Sequence, residues 1–233
     1  IKLFQRKINF HATNSYENEL IKISFPYSKS ITTIPNLIRM PKFFNLKLKK
    51  QIIFLGRINP IKNIHLLIEA FSIVSQSIAS DYELKIIGEA SLDYEKDYFN
   101  RLKVLVENKS LNNRVHFLGP KYNDEKFKII AQSYCLVLPS KSENFGNVVL
   151  EALTQKTPVI ASENTPWKVL KNKNAGYWVK PDAISLANVL KTILSLDKSS
   201  YIKLQENSYK LVFEKFSYTN NLSLWKRFYN NLN

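Results

Sequence analysis

The sequence predicts an α/β fold with a doubly wound, parallel, Rossmann-like sheet flanked by helices and a helical C-terminal tail. From residue 51 onward, short apolar runs alternate with segments whose apolar residues recur every three or four positions. The run at residues 52–55 is apolar throughout, which is typical of a strand buried on both faces of a parallel sheet. Strands that alternate with helices imply right-handed crossovers, which place helices on both faces of the sheet.

Each predicted strand is a short, mainly apolar run that ends at a glycine, a proline or a polar loop. The strands are predicted at residues 52–55, 84–88, 115–119, 134–138, 159–161 and 176–179. Helical spacing predicts helices around residues 66–74, 92–109, 124–132, 148–153, 183–196, 199–215 and 217–231. The chain is therefore expected to finish in helices.

Four segments are predicted along the chain. They are a strand-containing segment, a basic linker, the sheet domain and a C-terminal helix, at residues 1–36, 37–50, 51–215 and 216–233. In the first segment, strands at residues 8–12 and 31–36 enclose a helix that Thr13 or Asn14 would cap. The linker holds Pro41 and five basic side chains, and it is predicted to be exposed.

Composition indicates a globular protein with a sizeable core. Of the 233 residues, 45% are hydrophobic and 12% aromatic, which is enough to bury a core and argues against disorder. Cys135 is the only cysteine and lies in an apolar run, so a disulfide framework or a cysteine metal site is excluded. The apolar runs are shorter than a membrane span, and the first ten residues lack a signal-peptide core, so we expect a cytoplasmic protein.

The formal charge of +15 is concentrated near the start of the chain. Residues 1–50 contain ten Lys and Arg against two Glu, a net charge of +8. Such a charge favours anionic lipid head groups or nucleic acid as a partner. Because no nucleic-acid-binding motif is present, we expect no nucleic acid partner and a peripheral contact with the anionic inner membrane leaflet. Compositional bias of the source genome is an alternative explanation.

Two glutamates stand out in the stretch of residues 139–163. A strand, a polar loop, a helix and another strand follow one another there, with Glu143 in the loop and Glu151 in the helix. Open α/β sheets bind ligands in loops at the carboxyl ends of their strands. Gly146 lies just before the helix, where its missing side chain would let backbone N–H groups approach an anion.

A second polar stretch follows the first strand of the sheet domain and reads Gly-Arg-Ile-Asn-Pro-Ile-Lys-Asn. Arg57 and Lys62 flank its proline turn, at the carboxyl end of the strand. The two stretches together resemble the retaining glycosyltransferases of the two-domain GT-B architecture, in the group 1 or family 4 set. The family pattern S-x-x-E-x-F-G-x-x-x-x-E-A is matched by Ser140, Glu143, Phe145, Gly146, Glu151 and Ala152, and the following P-V-I-A-S by residues 158–162.

This resemblance implies a role for each matching residue. Arg57 and Lys62 would hold the donor diphosphate and stabilise charge on the leaving group, and Glu143 would lie against the donor sugar. Glu151 would accept hydrogen bonds from the ribose hydroxyls. The remaining expected nucleotide-sugar-binding residues are Gly56, Asn144, Phe145, Gly146, Asn147 and Val148, with the backbone N–H groups of residues 145–147 facing sugar and phosphate.

We expect neither a metal nor a cofactor. The D-x-D motif of metal-dependent glycosyltransferases is absent, and His11, His65 and His116 are far apart in the sequence. The sequence also departs from the family at a few glycines. Asn63 and Asn144 replace glycines in the two loops, and Asn63 can adopt the left-handed backbone that glycine would supply. The helix-ending glycine is missing at residues 155–157.

The resemblance also assigns the segments. Residues 51–215 would be the nucleotide-sugar-binding domain, and residues 1–36 would be the end of the acceptor-binding N-terminal domain with its crossover. We therefore expect an incomplete chain that binds its donor but transfers little. The run Asn164–Trp167 is similar to a bacterial subset that builds cell-surface polysaccharide or lipopolysaccharide, although a plain proline turn explains it equally well.

The leading functional prediction is a glycosyltransferase of hexosyltransferase type. It would move a sugar with retention from a nucleoside-diphosphate sugar to a cell-surface glycan or a lipid-linked sugar. Alternatives are a nucleotide-sugar epimerase or phosphorylase on the same fold, or a non-catalytic basic nucleotide-binding module. A phosphorylase needs a pyridoxal lysine or a phosphate site, and an epimerase needs further carboxylates, none of which we identify. Retention of all four charged motif residues argues against loss of catalysis.

Overall fold

The first part of the chain forms a small unit with its own two-stranded sheet. The computed structural model describes residues 2–77 and 81–230. The unit contains helix α1 (Lys2–Gln5), strand β1 (Asn9–Ala12), helix α2 (Ser15–Ser24) and strand β2 (Ser30–Thr33). β1 and β2 pair in parallel. The strand predicted to reach residue 36 ends earlier, before Pro35, which cannot donate to a strand partner.

Six parallel strands form the main sheet. They are β3 (Gln51–Leu55), β4 (Glu83–Ile87), β5 (Val115–Phe117), β6 (Cys135–Leu138), β7 (Val159–Ser162) and β8 (Gly176–Val179). Their order across the sheet is β5-β4-β3-β6-β7-β8, and every neighbouring pair is parallel. The chain therefore builds one half of the sheet outward from β3 and then the other half outward from β6. The predicted doubly wound, Rossmann-like fold is confirmed.

Helices cover both faces of this sheet. They are α3 (Ile64–Ser75), α4 (Asp93–Asn108), α5 (Asn123–Ala131), α6 (Asn147–Thr154), α7 (Val169–Asn172), α8 (Ala183–Leu194), α9 (Lys198–Phe216) and α10 (Tyr218–Asn230). Alternate residues of the central strand β3 point to opposite faces. Ile52 and Phe54 join the core under α3, α4 and α8, whereas Ile53 and Leu55 join the core under α5, α6 and α9. β3 is fully buried on both faces, as its uninterrupted apolar sequence predicts.

The segment between the two units is packed in part. Ile38 pairs with Ser217 between α9 and α10. Phe44 is buried, its N–H donates to the side-chain oxygen of Gln155 at 3.1 Å, and the amide of Gln155 donates to the carbonyl of Lys42 at 3.0 Å. The prediction of an exposed linker is therefore wrong at Phe44. A large aromatic side chain among basic ones gains more from burial than from exposure.

The last helix returns to the first unit. The ring of Trp225 on α10 lies 4.5 Å, between centroids, from the ring of His11 on β1. Tyr229 stacks on Trp225 yet keeps 59% of its surface exposed. Among the described residues, no helix is long and apolar enough to cross a membrane.

Candidate active site

The candidate site lies where the doubly wound sheet changes direction. β3 and β6 are neighbours in the sheet, and the helices that follow them, α3 and α6, cover opposite faces. The loops that leave these two strands therefore separate at the same edge of the sheet. This is the position at which doubly wound sheets form a ligand crevice.

The first loop (residues 56–63) crosses closely over the end of β4. The N–H of Gly56 donates to the carbonyl of Ile87 at 3.0 Å, and the N–H of Ile58 donates to that of Glu89 at 2.9 Å. A Cβ atom on Gly88 would lie 1.8 Å from the carbonyl oxygen of Gly56, so only glycine fits at position 88. This close approach sets the path of the loop.

The loop ends in a single 3₁₀ turn at Pro60–Lys62 and a left-handed residue. Asn63 has φ 51° and ψ 35°, which confirms the prediction that asparagine replaces glycine there in a left-handed backbone. Its side-chain amide donates to the carbonyl of Pro139 at 3.1 Å. The N–H of Lys141 donates to the carbonyl of Ile61 at 2.8 Å. These two hydrogen bonds hold the first loop against the second loop (residues 139–146).

Lys62 and Glu143 form the centre of the site. The Nζ atom of Lys62 lies 2.5 Å from Oε1 of Glu143, and the hydroxyl of Ser140 donates to the same oxygen at 2.8 Å. The two charged side chains are 17% and 10% exposed. Both motifs therefore meet in one ion pair that is largely shielded from water.

Arg57 lies at the edge of this arrangement. Its guanidinium is 68% exposed, and its nearest charged partner is Oε1 of Glu95, 3.9 Å away. Glu95 is buried in the first turn of α4 and accepts hydrogen bonds from the N–H groups of Ser91 at 2.9 Å and Leu92 at 3.2 Å. The Asn59 amide lies 3.4 Å away as a further donor. These contacts lower the pKa of Glu95, first through the Ser91 hydrogen bond, so the carboxylate stays charged and holds the arginine loop.

The second loop turns sharply into α6 at Gly146. Gly146 has φ 81°, and a Cβ atom there would lie 3.1 Å from Leu138 and 3.3 Å from Trp167, so glycine is required for backbone and space. Trp167 is buried and donates from its indole to the carbonyl of Phe145 at 2.5 Å. The ring of Phe145 packs on Trp167 and Phe216 in the core.

The start of α6 presents backbone donors. Within the part of the chain that the structure describes, the N–H groups of Phe145, Gly146, Asn147 and Val148 donate to no other group. Unpaired N–H groups at a helix start carry partial positive charge and suit an anion. Asn147 is exposed as the first residue of α6, and Val148 packs in part against the core.

Glu151 lies one turn further along α6 and pairs with a residue that the sequence did not single out. The Nζ atom of Lys126 on α5 lies 2.8 Å from Oε1 of Glu151, and the two side chains are about equally exposed, at 20% and 19%. A cavity of about 610 Å³ opens beside Glu151, and it is lined by Asn147 and by Trp225 and Tyr229 of α10. Glu151 thus faces open space large enough for part of a ligand.

The structure thus brings Lys62 and Glu143 into contact, and it places the other predicted site residues in the two loops and in the first turns of α6. Arg57 and Glu151 each contact a different partner, Glu95 and Lys126. Sequence reasoning missed these two partners because each comes from another helix, and nothing in their local pattern marks them. In the described ranges, 2–77 and 81–230, no cluster of three or more His, Cys, Asp or Glu side chains could hold a metal ion.

The family described as glycosyl transferases group 1 matches residues 39–211, which include both loops and all the charged site residues. The chain belongs to the group 1 glycosyl transferases. The resemblance inferred from the sequence motifs is therefore confirmed.

Relatives of this group 1 chain include proteins of an archaeon and of a bacterium. An uncharacterized glycosyltransferase of Methanocaldococcus jannaschii is 32% identical over 175 residues, which cover 74% of this chain and 42% of that protein. The O-antigen chain mannosyltransferase RfbU of Salmonella typhimurium is 29% identical over 170 residues, covering 72% of this chain and 46% of that protein. The chain thus spans less than half the length of these two relatives.

Solved structures share the fold of this group 1 chain. A sucrose-phosphate synthase from Thermosynechococcus elongatus superposes with a TM-score of 0.83 at 24% identity, covering 99% of this chain and 60% of that one. A glycosyltransferase from Rickettsia africae gives 0.85 at 19% identity, covering 99% and 65%. Anabaena HepE, solved with UDP and glucose, gives 0.80 at 20% identity, covering 94% and 62%. The common fold is that of GT-B glycosyltransferases.

Proposed function

We propose that this chain binds a nucleoside-diphosphate sugar between its two loops and takes part in glycosyl transfer from that donor. The observation that carries the proposal is the meeting of the cation of Lys62, the carboxylate of Glu143 and the unpaired N–H groups of α6 at the sheet's switch point. A diphosphate needs cations and N–H donors, and a sugar needs a carboxylate acceptor. The site offers both within one pair of loops.

The diphosphate is assigned to the start of α6. Its oxygens would accept from the free N–H groups of residues 145–148 and from Lys62, which would then be shared between the phosphate and Glu143. Arg57 is exposed at the edge of the site and would reach toward the same group. When the bond between the sugar carbon and the phosphate oxygen breaks, negative charge grows on that oxygen, and these fixed donors stabilise it.

The sugar and the nucleoside are assigned to the two glutamates. Glu143 is oriented by Ser140 and Lys62, so its second oxygen is available to a sugar hydroxyl. Glu151 would accept hydrogen bonds from the ribose hydroxyls. Lys126 would then be shared between Glu151 and the ligand, as Lys62 would be shared between Glu143 and the phosphate. A vicinal diol pairs well with a charged carboxylate.

The proposed transfer needs no metal, proceeds with retention and uses a glycan or a lipid-linked sugar as its acceptor. Lys62, Arg57 and the helix start supply the positive charge that a divalent metal would otherwise provide. Retention and a hexose donor follow the family resemblance. A cell-surface glycan or lipid-linked sugar is the proposed acceptor class, supported by the similarity to a mannosyltransferase of O-antigen synthesis.

A membrane contact through the first unit completes the proposal. Its exposed apolar side chains Leu3 and Phe4 lie beside Lys2 on α1 and just ahead of the exposed Arg6 and Lys7. Apolar groups surrounded by cations suit an anionic lipid surface at the inner leaflet of the membrane. A lipid-linked acceptor would be found at that surface.

A thermal-shift screen of the chain against UDP-, GDP- and ADP-sugars tests the donor assignment. A ligand that binds only the folded state raises the melting temperature. We expect one nucleotide class to raise it in a concentration-dependent way, and the Glu151→Ala variant to need more ligand for the same shift. The loss corresponds to about 1.5–3 kcal/mol for hydrogen bonds to a charged group. A shift of equal size in the variant would reject the ribose assignment.

A further inference from the structure

The first unit touches the second loop at the turn between β1 and α2. Asn14 caps α2, because its side-chain oxygen accepts from the N–H of Glu17 at 2.9 Å. The amide nitrogen of Asn14 donates to the backbone carbonyl of Asn144 at 2.6 Å. Asn144 lies 130 positions further along the chain, between Glu143 and the buried Phe145. A cap residue of one unit therefore also holds the sugar-facing loop of the other.

The orientation of the Asn14 amide is fixed by its neighbours. Glu17 accepts from the N–H of Thr13 at 2.7 Å and from its hydroxyl at 2.6 Å. The Thr13 oxygen in turn accepts from the amide nitrogen of Asn14 at 3.1 Å. Rotating the side-chain amide of Asn14 by half a turn would remove the hydrogen bond that caps α2. It would also place the amide oxygen against the hydroxyl oxygen of Thr13 and the carbonyl oxygen of Asn144. The nitrogen of Asn14 must therefore face Asn144.

This contact determines where the donors of the second loop point. A peptide group is planar and trans, so its N–H points away from its carbonyl. With the carbonyl of Asn144 held by Asn14, the N–H of Phe145 faces the opposite way. The next carbonyl, that of Phe145, is held by Trp167. Two successive peptide planes just before α6 are thus fixed. Asn14 of the first unit holds one, and Trp167 of the sheet domain holds the other.

A second contact supports the first at the start of α6. The side-chain amide of Asn36, just before the linker, donates to the side-chain oxygen of Asn147 at 3.0 Å. The first unit therefore touches the second loop and the first residue of α6 through two asparagines, and the Thr13 hydroxyl lies 3.3 Å from the same Asn144 carbonyl. One contact reaches Asn144, just before the unpaired N–H groups, and the other reaches Asn147, which carries one of them.

We propose that Asn14 is a positioning residue of the donor site, which holds the second loop in the orientation that presents its N–H groups to the sugar nucleotide. Its ligand is that of the proposed function, on which this part of the inference rests. Asn14 touches the loop and is assigned no contact with the donor. Displacing the first unit would release the carbonyl of Asn144 and let that peptide plane rotate.

The Asn14→Asp variant isolates this contact. Aspartate caps helices as well as asparagine does, so α2 keeps its first turn. The variant loses the N–H₂ donor and places a carboxylate oxygen against the carbonyl of Asn144. The matched control is Ser15→Asp, which adds the same charge at the next, exposed position and leaves the amide of Asn14 intact.

Hydrogen exchange of the Val149 N–H and of the Trp167 indole N–H, which donate to the carbonyls of Gly146 and Phe145, is the first measurement, and it is made with no ligand present. We expect faster exchange at these two N–H groups in Asn14→Asp and unchanged exchange in Ser15→Asp, while the melting temperatures of the two variants stay alike. Equal exchange in both variants would overturn the inference. This measurement does not depend on the proposed function, because it needs no donor.

Titration of the same variants with UDP-glucose and with GDP-mannose is the second measurement. For the nucleotide sugar that the unsubstituted chain binds, we expect Asn14→Asp to lose about 2- to 12-fold in affinity, the range of one hydrogen bond, and the control to lose none. Unchanged affinity in a variant whose two N–H groups exchange faster would overturn the positioning role. If the unsubstituted chain binds no sugar nucleotide in the screen of UDP-, GDP- and ADP-sugars, the proposed function fails and the exchange result alone decides whether Asn14 holds the loop.

Discussion

At the scale of single residues, the pairing of Lys62 with Glu143 makes a prediction about charge. Glu143 competes with a diphosphate for the same cation, so Glu143→Gln should leave the affinity for UDP or GDP unchanged or raise it. Lys62→Ala should lower that affinity by about 1.5–3 kcal/mol, as for hydrogen bonds between charged groups. Calorimetry with UDP and with GDP measures both effects.

The control for this comparison is Lys171→Ala, which removes one positive charge from the exposed surface of α7, outside the two loops. It should bind the diphosphate as the unsubstituted chain does. Equal losses in Glu143→Gln and Lys62→Ala would contradict the competition, and would mean that the ion pair acts only as a structural unit.

Glu95 gives a prediction for pH. The Ser91 N–H, then the Leu92 N–H, the Asn59 amide and the charge of Arg57 hold its pKa below the usual range, against the opposite effect of burial. A carboxylate with a lowered folded-state pKa stabilises the fold at neutral pH, and that stabilisation is lost as the pH falls through the folded-state pKa.

The stability gap between the unsubstituted chain and Glu95→Gln should therefore be largest near pH 7 and should narrow below about pH 4. Urea unfolding at several pH values measures it. Glu107→Gln, an exposed change on the same helix α4, should show no such dependence. A gap that stays constant from neutral to acid pH would show that the carboxylate of Glu95 is not held by these donors.

At the scale of elements, the end of α6 contains a residue in an unfavourable conformation. Lys156 has φ 59°, the left-handed backbone that the missing family glycine would adopt. The N–H of Thr157 donates to the carbonyl of Ala152 at 3.0 Å, so this conformation closes the helix. The sequence located the missing glycine only to residues 155–157, and the structure identifies position 156.

Lys156→Gly should therefore be more stable than Lys156→Ala by about 1 kcal/mol, because only glycine adopts the left-handed backbone without steric cost. Both variants lose the contacts of the lysine with Phe43 and Tyr209, so that loss cancels when their stabilities are compared. Chemical denaturation of the two variants measures the difference. An alanine variant as stable as the glycine variant would contradict the assignment of strain to this residue.

The strands and loops of the site could be predicted from the sequence, but the partners of its charged residues could not. Uninterrupted apolar runs predicted β3 and β6, and the polar residues after them predicted loops at the ligand edge of the sheet. The partners could not be predicted, because Glu95, Lys126 and Asn14 lie on or next to other helices, and only tertiary packing brings them to the site. Phe44 was predicted to be exposed for a related reason, since the basic residues around it are typical of a surface segment.

At the scale of the whole molecule, the charge at the start of the chain predicts binding to anionic vesicles. Co-sedimentation should rise with the content of anionic lipid and fall with salt, because salt screens the attraction. Reversing the exposed Arg6 and Lys7 to glutamate should weaken binding more than reversing the exposed Lys171 and Lys173 near α7. Equal binding to neutral vesicles, or tighter binding to duplex nucleic acid, would contradict a membrane surface as the partner.

The central claim is that the two loops form a donor site that needs no metal. Calorimetric titration of the 233-residue chain with UDP-glucose, GDP-mannose and ADP-glucose, in buffer containing EDTA, tests it most directly. We expect one of the three to bind, and its affinity to fall by at least about tenfold in Lys62→Ala, the lower end for a hydrogen bond to a charged group, while Lys171→Ala binds normally. Binding that appears only when magnesium or manganese is added, or that Lys62→Ala leaves unchanged, would contradict the claim.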